Sequence, residues 1–153
     1  MRDPFKNLRA GWMGMTLFVA GCQRGGGEGS APVPPVSSDG PIRPPAVANQ
    51  FYPGQPEALR RAVRKALREA EGAAVPGGTP VAILVPHAGY VYSAGVAAFS
   101  YQAVAGRRIT DAILIGNSHH VRLRRGAVYA RRGFATPLGT VPVNAELAAA
   151  LLK

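Results

Sequence analysis

Residues 23–46 read QRGGGEGSAPVPPVSSDGPIRPPA, and this stretch limits where the chain can fold. It is almost entirely Gly, Pro, Ser and charge, with no hydrophobic period. Such a segment has too little apolar surface to offset the entropy lost on ordering. Its Pro-rich part is expected to be semi-extended and its Gly-rich part flexible. It reads as a disordered tether. It separates a short N-terminal segment, residues 1–22, from one domain, residues 47–153.

The N-terminal segment has the shape of an export signal. Arg2, Lys6 and Arg9 stand against Asp3, and an apolar stretch from Trp12 to Gly21 follows. A charged start and a short apolar run mark a secretory signal. A membrane span needs roughly 20 apolar residues, so a transmembrane helix is not expected here. The stretch ends Leu17-Phe18-Val19-Ala20-Gly21-Cys22, the pattern of a bacterial lipobox. Residues 1–22 are expected to be a lipoprotein signal, with Cys22 acylated and the protein exported and held at a membrane. An ordinary secretory signal with an incidental cysteine is the alternative, and a mis-assigned start would leave the protein cytoplasmic. Cys22 is the only cysteine, so no intrachain disulfide can form.

In the domain, PEALRRAVRKALREAE (56–71) predicts a helix. Leu59, Ala62, Val63, Ala66, Leu67 and Ala70 recur at helical spacing. Pro56 suits the first helical position, Glu57 complements the dipole, and Gly72 can stop the helix. Arg60, Arg61, Arg64, Lys65 and Arg68 fall on the other face, most simply a solvated one. Val81–Val85 is a continuous apolar run of strand length, as in a strand buried on both faces. Ser93 to Val104 predicts a second helix, with Val96, Ala97, Ser100, Tyr101 and Val104 on one face and Gly106 ending it. Ala112–Ile115 predicts a second buried strand, and Gly126–Arg131 a further one. Residues 136–144 are turn-rich, and Asn144 can cap a helix from Ala145 to Leu152. Helix, strand, helix, strand predicts an α/β fold, a mostly parallel sheet flanked by helices.

All three histidines lie in two motifs directly after the apolar runs. His87 is in PHAGYVYSAG, and His119 and His120 are in IGNSHH. Ligands of open α/β sheets bind beyond the carboxyl ends of the strands. Adjacent parallel strands would bring His87 and His119 together. Gly89, Gly95 and Gly116 are expected to permit close backbone approach. Imidazole is the commonest metal ligand and the commonest acid–base group near neutral pH, but two histidines are not a complete site. Zinc and non-haem iron usually take a third protein ligand. Asp111 is expected at the opposite end of its strand, Glu146 on a distal helix and Cys22 in the signal. Tyr90 and Tyr92 could orient a substrate, though packing is the simpler role. Asn117 and Ser118 could bind polar substrate groups or only shape the turn.

FYPGQPEALRRAVRKAL, VAILVPHAGYVYSAGVAAFSYQAV, AILIGNSHHV and TPLGTVPVNAELAAALL occur in that order. Together they resemble the Memo family, whose bacterial and archaeal members are called AmmeMemoRadiSam system protein B. The resemblance spans residues 47–153. It implies the LigB-type fold of class III extradiol dioxygenases and a metal-dependent, dioxygenase-like redox role. It implies that His87 and His119 are ligands to iron or copper. His120, Tyr90, Asn117 and Ser118 would support those ligands or face a substrate. Family members are longer, and their second half carries further site residues, including a cysteine and a histidine. The domain is thus expected to be an N-terminal part of the family's fold, inactive by itself and poorly soluble. Two local departures stand out: Gly116-Asn117 where the family often has Gly-Pro, and Ala48-Asn49 where it often has Ala-Gly. A lipoprotein signal is also unusual in a family commonly found in the cytoplasm. A non-catalytic scaffold for AMMECR1-like and radical-SAM proteins is the second function that the resemblance implies.

The formal net charge is +10, from 18 Lys+Arg against 8 Asp+Glu. That raises nucleic acid or an anionic membrane as a partner. Beyond the helix, the arginines cluster in VRLRRGAVYARRGF (121–134), where only Tyr129 and Phe134 interleave. No nucleic-acid-binding motif is present, so nucleic acid is not expected. Contact of Arg122, Arg124 and Arg125 with anionic lipid suits a membrane-anchored protein better.

Overall fold

The computed structural model describes residues 15–19, 40–73, 77–124 and 126–152. Cys22 and most of the expected tether lie outside the described residues. The structure is mixed α/β. It divides into two compact units, one containing Pro45–Arg108 and the other containing Ile109–Ala135 and Thr140–Lys153.

The first unit is built on two helices, α1 (Pro56–Glu69) and α2 (Tyr90–Gln102). Helix α1 starts at Pro56 as its sequence predicts, with Glu57 in the first turn. It gives way at Ala70, and Gly72 follows with φ +81°, a left-handed turn that glycine adopts without strain. Leu59, Ala66 and Ala70 are buried, and Arg60, Arg61, Arg64, Lys65 and Arg68 are all exposed, as the periodicity predicts. The unit's core is Ala66, Ala70 and Ala98, with Leu67 and Ala94 packed against it. Alanines at the contact let the two helices approach closely. Gln102 Nε2 then donates to the Leu67 carbonyl at 2.6 Å, tying the end of α2 to α1.

Helix α2 begins three residues before the expected Ser93. Ser93 is buried, and its hydroxyl donates to the carbonyl of Ala88 (2.9 Å) and lies 3.2 Å from that of Gly89. This draws Tyr90 into the first turn. The buried face also differs from the expected one. Ser93 and Ala98 are its buried residues, and Val96 and Tyr101 are exposed. Small residues sit inward because the partner face on α1 is itself made of alanines. The helix ends at Gln102, four residues before Gly106, which closes the following turn with φ +73°.

Val81–Val85 is not a strand. The segment joins no ladder, and Val81 and Leu84 are almost fully exposed, whereas Ile83 and Val85 are partly covered. The Ser100 hydroxyl donates to the Leu84 carbonyl at 2.8 Å. An apolar run signals hydrophobicity, but a strand also needs a partner edge.

The second unit holds β1 (Met15–Val19), β2 (Ile42–Arg43), β3 (Ala112–Gly116), β4 (Ala127–Val128), β5 (Gly133–Thr136), β6 (Gly139–Pro142) and α3 (Ala145–Leu151); residues 136–139, at the turn between β5 and β6, group with the first unit. Two three-stranded sheets form, in orders β3-β1-β4 and β2-β5-β6. Strand β1 pairs parallel with β3, Met15 opposite Ala112 through Val19 opposite Gly116, and antiparallel with β4. Strand β2, at the end of the segment read as a tether, pairs parallel with β5. The sheets are therefore small and mixed rather than one mostly parallel sheet. Residues 15–19, read as the apolar part of an export signal, form the central strand of the first sheet.

Three local expectations change. β3 occurs where predicted, but its burial alternates and Ile113 and Ile115 are exposed, so only one face is covered. The strand expected over residues 126–131 shrinks to two residues. The stretch expected to be turns holds most of a β-hairpin, with Gly139 at φ +130°. Gly133 packs so tightly there that an added Cβ would lie 2.5 Å from the Val141 carbonyl oxygen. Helix α3 is capped as predicted, the Asn144 side chain accepting from the Leu147 amide at 3.0 Å.

Candidate functional site

The first histidine motif is held by a turn just upstream. At Val47–Gly54 the chain reverses with Asn49 in the left-handed region, φ +64°. The Asn49 amide donates to the Tyr52 carbonyl at 2.8 Å, and Asn49 Oδ1 accepts from the Gly54 amide at 2.8 Å. The Phe51 carbonyl then accepts the Tyr90 amide at 2.7 Å. That amide is a helix N-terminal donor with no partner inside α2. The Tyr52 and Tyr90 rings face each other at 5.8 Å. Burial raises the Tyr90 phenol above the ordinary tyrosine value of 10.0, and the nearby Tyr101 and Tyr52 phenols add to the shift. Tyr90 thus packs its ring near Tyr52 at the edge of the turn while part of the residue stays exposed.

His87 lies two residues before Gly89, the N-cap of α2, and is an exposed residue. Ser93 fixes the two carbonyls that follow it, at Ala88 and Gly89. Gly89 needs no special space, since an added Cβ would meet Phe51 at an ordinary 3.5 Å. Around Gly95 and Gly116 an added Cβ would meet nothing within 4 Å among the described residues. None of the three sites is so tight, among the described residues, that only glycine would fit. Tyr92 is exposed on the outer side of α2.

The second motif leaves β3 at Gly116. Asn117, Ser118, His119 and His120 are all exposed. Asn117 Nδ2 lies 3.3 Å from His119 Nε2, and the His119 and His120 rings are 6.3 Å apart. Ser118 shapes the turn, its hydroxyl donating to the Val121 carbonyl at 2.6 Å and accepting the Val121 amide at 3.2 Å. His87 belongs to the first unit and this motif to the second. The expected pairing of parallel strands ahead of the two motifs is not formed, because Val81–Val85 is not a strand and the parallel partner of β3 is β1. Asp111, weighed above as a ligand, instead accepts from Asn144 Nδ2 at 2.7 Å. Among the described residues no three His, Cys, Asp or Glu side chains gather as a metal site.

Asn49 and Ser93 escaped the reading of the sequence as site residues. The signal was present: an Asn before FYPG, and a Ser three residues after Tyr90 and able to reach back to the preceding carbonyls.

A family profile for Memo-like proteins matches residues 43–153. A MEMO1 family protein of Thermoplasma volcanium is 35% identical over 113 residues, covering 73% of this chain and 40% of the relative. One from Methanothermobacter thermautotrophicus is 36% identical over 121 residues, covering 73% of this chain and 43% of the relative. One from Ignicoccus hospitalis is 37% identical over 123 residues, covering 73% and 42%. The chain thus spans about 40% of the length of the curated relatives it matches. No solved structure matches.

Proposed function

The chain belongs to the Memo-like protein family, and we propose that it serves a metal-binding redox protein in which His87 and His119 each offer an imidazole to iron or copper. One observation carries the reading: every histidine of the chain lies exposed in two motifs, inside the region that the family profile matches. Imidazole suits both metals as a donor. The described residues supply this donor type but not three gathered ligands, so a complete set draws on groups outside them. A bound iron or copper would supply electron transfer or oxygen binding at an open coordination position. In this chain, the Asn117 amide would orient the His119 ring, and Ser93 would hold the loop that carries His87. The finer architecture, a fold like that of the class III extradiol dioxygenases, belongs to the same proposal. So does export, with Cys22 as the lipid anchor.

The test is equilibrium dialysis of the full chain against copper(II) and, without air, iron(II). Retained metal that falls at least about 10-fold in both His87→Ala and His119→Ala supports the reading. Metal uptake indifferent to both substitutions overturns it.

A second reading is a non-catalytic binding module for AMMECR1-like or radical-SAM proteins. The observation favouring it is the outer side of α2, where Val91, Tyr92, Val96 and Phe99 are exposed. A folded chain that takes up no metal yet binds such a partner through α2 decides for it.

A further inference from the structure

The exposed face of α1 carries charge that the fold does not use. Arg60, Arg61, Arg64, Lys65 and Arg68 all point to solvent. Arg60 pairs with Glu57 at 2.7 Å and Lys65 meets Glu69 at 3.7 Å, both exposed. Arg61, Arg64 and Arg68 have no acidic partner among the described residues. At 3.6 residues per turn these three line one stripe, and seven residues of rise spread it over about 10 Å. Arg60 and Arg64, Arg61 and Lys65, and Arg64 and Arg68 are like charges one turn apart, which weakens a helix. The helix bears that repulsion without any return inside the unit, whose core is built from the opposite face. An anionic surface would relieve it.

We infer that this face of α1 is a docking surface for the anionic lipid headgroups of a membrane. The contact is electrostatic and lies flat. Leu59, Ala66 and Ala70 are already buried in the unit, so α1 has no apolar side left to insert. A lipid surface fits better than a single-stranded nucleic acid because the face holds no aromatic side chain for base stacking, and better than a duplex because the chain carries no nucleic-acid-binding motif. The whole chain's charge of +10 has the sign that such a surface attracts. The inference is independent of the metal reading. It is also independent of lipidation at Cys22, which would only deliver the face to its target.

The test uses the full, unlipidated chain and vesicles of phosphatidylcholine with or without phosphatidylglycerol. Any insertion by the N-terminal segment is then common to all variants compared. Wild type is expected to sediment with the anionic vesicles and to be released between about 50 mM and about 500 mM salt. The exposed triple variant R61Q/R64Q/R68Q is expected to bind them roughly 100-fold more weakly. R61K/R64K/R68K, with charge kept, is expected to bind like wild type. Equal binding by the Gln variant and wild type overturns the assignment. So does a single-stranded oligonucleotide bound more tightly than the vesicles through the same three arginines, which would assign the face to nucleic acid.

Discussion

Asn49 and Gly54 close the turn that supports the first histidine motif. Asn49 sits at φ +64°, and its Oδ1 accepts the Gly54 amide at 2.8 Å. Asparagine is among the few residues that tolerate the left-handed region, because its short polar side chain bonds locally. Asn49 thus meets the backbone demand that glycine would meet without strain, and adds a hydrogen bond. Asn49→Ala is expected to destabilise the chain by about 1–3 kcal/mol, from left-handed strain and the lost bond. Asn49→Gly removes the bond but also the strain, and is expected to stay near wild type. Gly54→Ala would place a Cβ 2.5 Å from the Asn49 amide group and is expected to open the turn. Urea unfolding of the three variants checks the order; Asn49→Ala as stable as Asn49→Gly would contradict it.

Tyr90 makes the same turn sensitive to alkali. Burial, then Tyr101 and Tyr52, raise its phenol above 10.0. The folded state therefore keeps this proton at a pH where the unfolded chain has released it. Stability from the neutral phenol is complete below pH 10 and is lost as pH rises through the folded value. Tyr90→Phe is expected to flatten the fall in stability above pH 10 and to remove a late-titrating phenol from the absorbance titration. An unchanged alkaline limb in the variant would show that Tyr90 is not the group responsible.

Local pattern explains what could be read without coordinates. Helix α1 is written in six apolar residues at helical spacing, and the cap of α3 in one asparagine ahead of an alanine-rich run. Both depend on residues within a few positions. Partnership in a sheet does not. Val81–Val85 and Ala112–Ile115 look alike as apolar runs, yet only the second joins a ladder. The hairpin over residues 133–142 was hidden because its glycines, threonines and prolines also suit loops. Each histidine could be set at the end of an apolar run, but joining the two motifs requires a strand order, and no local spacing encodes one. Ser93 was placed on the second helix, but its role as the brace under Ala88 and Gly89 rests on where that helix starts.

Asn144 uses both ends of its amide. Oδ1 accepts the Leu147 amide at 3.0 Å, and Nδ2 donates to Asp111 at 2.7 Å. Asn144→Ala is expected to cost about 1–2 kcal/mol, mainly through the lost cap. Asn144→Asp keeps a good cap but sets a carboxylate against Asp111, so its stability is expected to recover in acid, when that repulsion is relieved. Thermal melts at neutral and acidic pH separate the two effects. Identical pH profiles for Asn144→Asp and wild type would remove Asp111 from the account.

Strand β1 and the residues proposed as a lipobox, ending at Cys22, occupy overlapping stretches of one sequence. A chain processed before Cys22 contains no residues 15–19. In the structure those residues are the central strand between β3 and β4, with backbone pairing along the whole of β3. Their removal leaves the Ile113–Ile115 amides and carbonyls without the partner seen here, and a two-residue β4 cannot persist as a strand alone. The processed chain is expected to exchange those amides at least about 10-fold faster than the full chain, because protection follows the local opening of the ladder. Hydrogen exchange resolved by residue checks this. Unchanged protection would show that β3 does not depend on β1 for its pairing.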